Sequence, residues 1–289
     1  MEISHRFVEA RGVRHHIAET GDGFPIVCLH GWPEFWACWE PLMERLHSKH
    51  KLIAIDFRGF GESENPNPEP SDKANARCLA DDVIALLDEI GLSRVGFVGH
   101  DVSALVMQEI ARLRPELCEG LFFFNCVTPG IGSRWNVPEH LGEIWYQAFH
   151  QKPFAAEMVG QSEASCRTYI KHFLDHWSYK TGVFDQVIER WTENFMRPDN
   201  LQGGFNWYIS QNAARLAAMA GEVPELPKID TPTRVLWGRH DPIIKSDWSD
   251  CLDDTFSNVE LTFAEEAGHF VHYEMPDLAA GEISRFFAN

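Results

Sequence analysis

Short apolar runs alternate along this chain with segments whose apolar residues recur every three or four positions. Residues 26–30, 52–56, 95–99, 121–125, 234–238 and 260–263 are compact enough to be buried strands. Residues 5–10 and 13–19 flank Arg11-Gly12 and read as a hairpin. A helix pattern begins at 41–46. Residues 78–90 place Leu79, Val83, Leu86, Leu87 and Ile90 on one helical face. Further helices are predicted over 104–113, ended by Pro115, and over 277–287. This alternation implies an α/β fold with a mainly parallel sheet of about eight strands, helices covering both faces. Between residues 128 and 229 the pattern changes. That stretch is helical, rich in Trp, His and Tyr, and has no convincing strand. It reads as a helical cap (128–229) inserted into a core made of 1–127 and 230–289. A cap over the carboxyl ends of parallel strands would roof a ligand site there.

Composition narrows the function classes. The 289 residues are 44% hydrophobic and 24% charged, values of an ordinary globular chain. The formal charge of −18 repels phosphate backbones, so no nucleic-acid partner is expected, and free anions are slightly disfavoured. No run approaches the ~20 apolar residues of a membrane span, so no membrane association is expected. Met1 to Arg6 lacks the apolar core of a secretory leader. The seven cysteines are odd in number and never spaced C-x-x-C, which suits reduced thiols in a cytoplasmic setting rather than disulfides or zinc. His172 and His176 stand four apart, but Phe173 breaks the H-E-x-x-H pattern. No metal and no cofactor are therefore expected. The oligomeric state is open, a homodimer included.

The sequence Val95-Gly96-Phe97-Val98-Gly99-His100-Asp101-Val102-Ser103-Ala104 runs a strand through a small-x-X-x-small turn into a helix. The middle residue of such a turn stands on a sharp elbow and needs small neighbours. Here it is Asp101, flanked by Gly99 and Ser103. A carboxylate over a helix N-terminus stays ionised. Its oxygen can attack a saturated carbon bearing a leaving group and form an ester that water then hydrolyses. The leaving group would be an epoxide oxygen or a halide. Helix capping by Asp101 is the plain alternative. Ser103 lies two residues beyond the elbow and fills the turn. Gly160-Gln161-Ser162-Glu163-Ala164 imitates a serine motif but follows no strand.

Four motifs together resemble the epoxide hydrolase and haloalkane dehalogenase group of the α/β-hydrolase fold, over almost the whole chain. His30-Gly31-Trp32-Pro33-Glu34 resembles an H-G-x-P turn, and Asp56-Phe57-Arg58-Gly59-Phe60-Gly61-Glu62-Ser63 resembles a structural D-x-R-G-x-G-x-S loop. That loop fails as a dinucleotide fingerprint because Glu64 stands where a third glycine is needed. The remaining two are Trp237-Gly238-Arg239-His240-Asp241-Pro242 and the segment that begins Gly268-His269-Phe270, and they join the elbow. The resemblance implies Asp101 as nucleophile, Asp241 as the acid, His269 as the base, and backbone N–H groups of Trp32 and Val102 as an oxyanion hole. Asp101, Asp241 and His269 fall in the chain order stated for this fold. His272 is expected to pack or face solvent.

Trp145-Tyr146-Gln147 and Phe205-Asn206-Trp207-Tyr208 resemble the cap segments that carry two tyrosines in epoxide hydrolases. Opening an epoxide needs a proton donor at the departing oxygen, a role for Tyr146 and Tyr208. His30, Pro33, His100, Gln147 and Trp207 are further candidates to line the pocket. Val102 stands where many relatives carry a halide-holding tryptophan, and the residues after Asp101 carry no charge for a haloacid. The expectation is an epoxide hydrolase acting on a small-molecule epoxide with water. A hydrolytic dehalogenase using the same aspartate and a non-catalytic small-molecule receptor stay open.

Overall fold

The computed structural model describes residues 1–222 and 224–288. Val223, inside the expected cap, and Asn289, at the end of the expected core, lie outside the described residues. Eight strands form one sheet: β1 (Ser4–Ala10), β2 (Val13–Thr20), β3 (Phe24–Leu29), β4 (His50–Ile55), β5 (Val95–His100), β6 (Cys118–Phe124), β7 (Thr233–Gly238) and β8 (Val259–Ala264). Their order is β1-β2-β4-β3-β5-β6-β7-β8. The β1/β2 and β2/β4 pairs are antiparallel, and all other pairs are parallel. The α/β hydrolase architecture read from the sequence is the one the chain adopts.

The central strands are mostly apolar because helices cover both of their faces. Every residue of β5 is buried, and β3, β4 and β6 bury four or more positions each. The helix Ala76–Glu89 starts before the expected residue 78, because the Asn75 side chain accepts from Cys78 N–H and caps it. It buries Leu79, Val83, Leu86 and Leu87. Asp82 of that helix is buried too, held by Arg58 through two bonds (2.5 and 2.7 Å) and by Arg11 (2.7 Å). The loop after β4 folds around Asp56, whose carboxylate accepts from Trp36 N–H (2.7 Å) and Glu62 N–H (3.0 Å) and meets His16 Nδ1 (2.7 Å). These bonds give that loop a structural task.

Between β6 and β7 the described residues form helices and no strand, among them Glu163–Trp177, Ile188–Met196, Asn200–Ser210 and Asn212–Met219. They sit against loops that leave the carboxyl ends of the strands. Trp191 donates its indole N–H to the Pro33 carbonyl (3.0 Å) after β3, and the Trp177 carbonyl accepts from His269 N–H (2.8 Å) after β8. Asn206 accepts from Ser71 N–H (2.9 Å) and donates to the Asn67 carbonyl (2.9 Å). Among the described residues no helix is long and apolar enough to cross a membrane.

Candidate active site

The turn after β5 is tight enough that only small residues fit. A Cβ on Gly99 would lie 2.2 Å from Met107 Sδ and 2.6 Å from Ser103 Oγ. The helix therefore begins at Val102, earlier than the expected residue 104, and Asp101 takes φ 51°, ψ −111°. A left-handed non-glycine backbone of this kind costs about 1–3 kcal/mol and persists only where its surroundings enforce it. Ser103 supplies part of that enforcement. Its Oγ accepts from His100 N–H (2.6 Å) and lies 2.8 Å from the Leu29 and His100 carbonyls. Ser103 is thus fully engaged and buried.

The turn after β3 presses directly against the elbow. A Cβ on Gly31 would sit 2.7 Å from Asp101 Cβ, so glycine permits the approach. Trp32 N–H then donates to Asp101 Oδ2 (3.1 Å). Val102 N–H belongs to the first helical turn, where backbone donors lack partners within the helix.

His269 comes from the loop after β8. Its Nδ1 lies 2.8 Å from Asp241 Oδ2. Asp241 is itself fixed: Asn125 Nδ2 donates to Oδ2 (2.6 Å), and Ile243 and Ile244 N–H donate to Oδ1 (2.8 and 3.0 Å). His269 Nε2 is buried without a partner among the described residues. Burial disfavours the imidazolium, but Asp241, with Asp101 and Glu34 beyond it, outweighs that and pushes the His269 pKa up to about 9.

Beneath these groups lies a buried hub on Glu34. Its carboxylate meets His100 Nδ1 (2.7 Å) and His272 Nε2 (2.8 Å) and accepts Gly31 N–H (3.0 Å). His100 Nε2 continues to the His269 carbonyl (2.9 Å). Burial alone would raise the Glu34 pKa, but the two histidines hold it well below the usual range. Burial lowers the His272 pKa, so this ring donates from Nε2 as a neutral imidazole. The donor atoms of Glu34, His100 and His272 lie within 4.8 Å of one another, a spacing a metal ion could use. Hydrogen bonds already occupy all of them except His272 Nδ1.

Above Asp101 the two cap phenols meet edge to face, with ring centroids 5.5 Å apart. Tyr146 stacks flat on Trp32 at 5.5 Å. Burial, reinforced by the Asp101 charge, pushes the Tyr146 pKa up. Burial, then Tyr146 and Asp101, does the same for Tyr208. Both phenols therefore keep their protons at neutral pH and can act as donors.

A cavity of about 220 Å³ opens over the elbow. Asp101, Val102, Gln147, Trp207 and Tyr208 line it as the sequence suggested, while Tyr146 stands behind Tyr208. Three expected lining residues do not reach it. His30 is turned into the core, where its ring bonds the Gly31 carbonyl (2.8 Å) and Phe57 N–H (3.2 Å). Pro33 is buried beneath Trp191. His100 points down to Glu34. His272 does not face solvent; it is fully buried. Sequence reasoning passed over Glu34 and Asn125. Glu34 closes the quoted His30–Glu34 motif, and an acid in so apolar a segment calls for buried partners. Asn125 ends the run expected to be a strand, where nothing in the spacing marks its bonds to Asp241 and to the Gly238 N–H (2.7 Å).

The chain is 28% identical to a soluble epoxide hydrolase of Corynebacterium sp. (strain C12), over 99% of this chain and 98% of that protein. It is 27% identical to epoxide hydrolase 4 of Mus musculus, over 96% of this chain and 77% of that one. Among solved structures, epoxide hydrolase CorEH without ligand superposes with a TM-score of 0.85 at 27% identity, covering 99% of both chains. A family model described as alpha/beta hydrolase fold matches residues 25–276. The chain belongs to the α/β hydrolase fold family.

Proposed function

We propose that this protein is an epoxide hydrolase that converts a small epoxide and water into a vicinal diol. The observation that carries the reading is an aspartate, not a serine, on the elbow, facing the same cavity as the Tyr208 phenol. The similarity to proteins named epoxide hydrolases supports it. In the first step Asp101 attacks an epoxide carbon. The C–O bond breaks, and Tyr208, backed by Tyr146, delivers a proton to the departing oxygen. An ester now joins Asp101 to the substrate.

In the second step His269, oriented by Asp241, takes a proton from water at Nε2. The hydroxide adds to the ester carbonyl carbon, and the oxyanion is met by Trp32 and Val102 N–H. Collapse breaks the bond from that carbon to the substrate oxygen, the new carboxyl proton passes to the leaving alkoxide, and the diol departs with Asp101 again a carboxylate. The proton held by His269 balances the one the phenol gave up, and solvent returns it. The cap at 128–229 supplies both phenols, and the core at 1–127 and 230–289 supplies the rest. A reducing, cytoplasmic setting suits the seven cysteines, all free thiols.

Mass spectrometry tests the mechanism. Incubated with an epoxide that the unmodified enzyme turns over, His269→Gln should accumulate an adduct of substrate mass on the peptide that holds Asp101. Asp101→Asn should form none. A His269→Gln enzyme that stays unlabelled sinks the covalent route.

A further inference from the structure

We infer that Arg215 makes this cavity selective for epoxides that carry a carboxylate at the end remote from the ring. The inference rests on the proposed epoxide chemistry for the reacting end and on independent geometry for the other. One wall of the cavity is a single helical face: Trp207, Tyr208, Gln211, Ala214, Arg215 and Ala218. The spacing is that of one side of a nearly continuous helix, since Gln211 N–H bonds the Trp207 carbonyl and Arg215 N–H bonds the Gln211 carbonyl (both 2.9 Å). Tyr208 and Arg215 are seven residues apart, about 10 Å along such an axis.

Arg215 is the one Lys or Arg among the cavity-lining residues, and Asp101 is the one acid. The guanidinium has no carboxylate partner among the described residues. It donates to Asn212 Oδ1 (2.8 Å) and lies 3.5 Å from Met219 Sδ, a weak acceptor. Its Nε is buried with no partner among the described residues. A buried N–H of a cation without an acceptor is costly. A substrate carboxylate would instead take paired bonds from the two terminal nitrogens, whose recorded partners are Asn212 Oδ1 and the weak Met219 Sδ. Much of the remaining wall is apolar, with Leu105, Val127, Pro129 and Trp135 among the lining residues.

This arrangement also orients the ligand. Asp101 repels an anion at the reacting end and Arg215 attracts it at the other, so only one pose satisfies both. The cavity, near 220 Å³, is smaller than the about 300–1,000 Å³ usual for drug-sized ligands, which limits the linker to a short chain. A single monovalent cation matches a carboxylate better than a doubly charged phosphate, the more so in a chain of charge −18.

The test pairs turnover with binding. Turnover is measured on 5,6-epoxyhexanoate and on its neutral amide, for the unmodified protein, Arg215→Gln and Arg215→Lys. Binding of unreactive 4-cyclopropylbutanoate and its amide is measured by calorimetry on the same three proteins. The unmodified enzyme should prefer the acid in kcat/KM by about ten- to hundredfold, the range of a hydrogen bond to a charged group. In Arg215→Gln that ratio should collapse toward one through KM, and Arg215→Lys should fall between. The unreactive acid should bind more tightly than its amide only while the guanidinium is present. Epoxide turnover with no preference for the acid, or a preference that survives Arg215→Gln, overturns the inference and leaves the epoxide hydrolase reading standing. Arg215-dependent binding of the acid with no turnover of either epoxide upholds the carboxylate site and removes that reading.

Discussion

His269 sits in a field that changes during the proposed cycle. With Asp101 ionised, the ring titrates near pH 9, so at neutral pH it is largely an imidazolium. An imidazolium cannot take a proton from water. Esterification of Asp101 removes one of the negative charges that hold the proton in place, a smaller one than Asp241, so the pKa falls and the ring becomes a better base once there is an ester to hydrolyse. Asp101→Asn mimics the loss of that charge. In a titration of labelled histidine by NMR, the His269 midpoint should move from the neighbourhood of pH 9 downward in Asp101→Asn. The sign has a kinetic counterpart: as pH falls, ester hydrolysis slows and the covalent adduct should accumulate in the steady state. An unmoved midpoint would mean that Asp101 does not govern the ring.

The turns after β3, β5 and β8 must be held in one register for these side chains to meet, and Glu34 joins all three. It accepts from Gly31, pairs with His100 just before the elbow, and pairs with His272 just after His269. Glu34→Gln places an amide among three donors and leaves at least one N–H group facing another. Breaking a buried pair on one side typically costs about 3–5 kcal/mol. Chemical denaturation should show a loss of that order together with a fall in kcat. Unchanged stability would show that the hub is not holding these turns. The hub also marks what the sequence disclosed. The strands and the elbow were legible because they depend on local periodicity and on glycine spacing, as at Gly99. The order of Asp101, Asp241 and His269 was legible because it follows the order of strands. Where His30 and His100 point was not legible, because it depends on partners far along the chain, such as Phe57 for one and Glu34 for the other. Arg215 escaped for the same reason: its meaning comes from partners it lacks, and an absence has no motif.

The cap and core are bonded at several separate places, which bears on how the molecule unfolds. Trp191 reaches Pro33, Trp177 receives His269 N–H, Asn200 donates to the Gly61 carbonyl (2.9 Å), and Asn206 clasps the loop at Ser71 and Asn67. Trp32 of the core is buried under cap rings, stacked on Tyr146 and edge-on to Phe173 and Trp177 at 4.8 and 5.8 Å. A cap released on its own would expose these aromatic faces and strand the polar groups, so partial opening gains little chain entropy for what it loses. Heat or denaturant should therefore unfold the chain in one transition. Tryptophan fluorescence, which reports from Trp177 and Trp191 in the cap and from Trp39 and Trp237 in the core, should coincide with far-UV circular dichroism. Asn206→Ala removes a four-bond clasp, including one from Gln202 (2.8 Å) and one to the Glu69 carbonyl (3.2 Å). It should lower the stability by about 1–3 kcal/mol for the groups left unpaired, and so shift the midpoint down, without splitting the transition. If the two signals separate in the unmodified protein, the cap is an independent unit. The site it roofs would then be assembled only on closure.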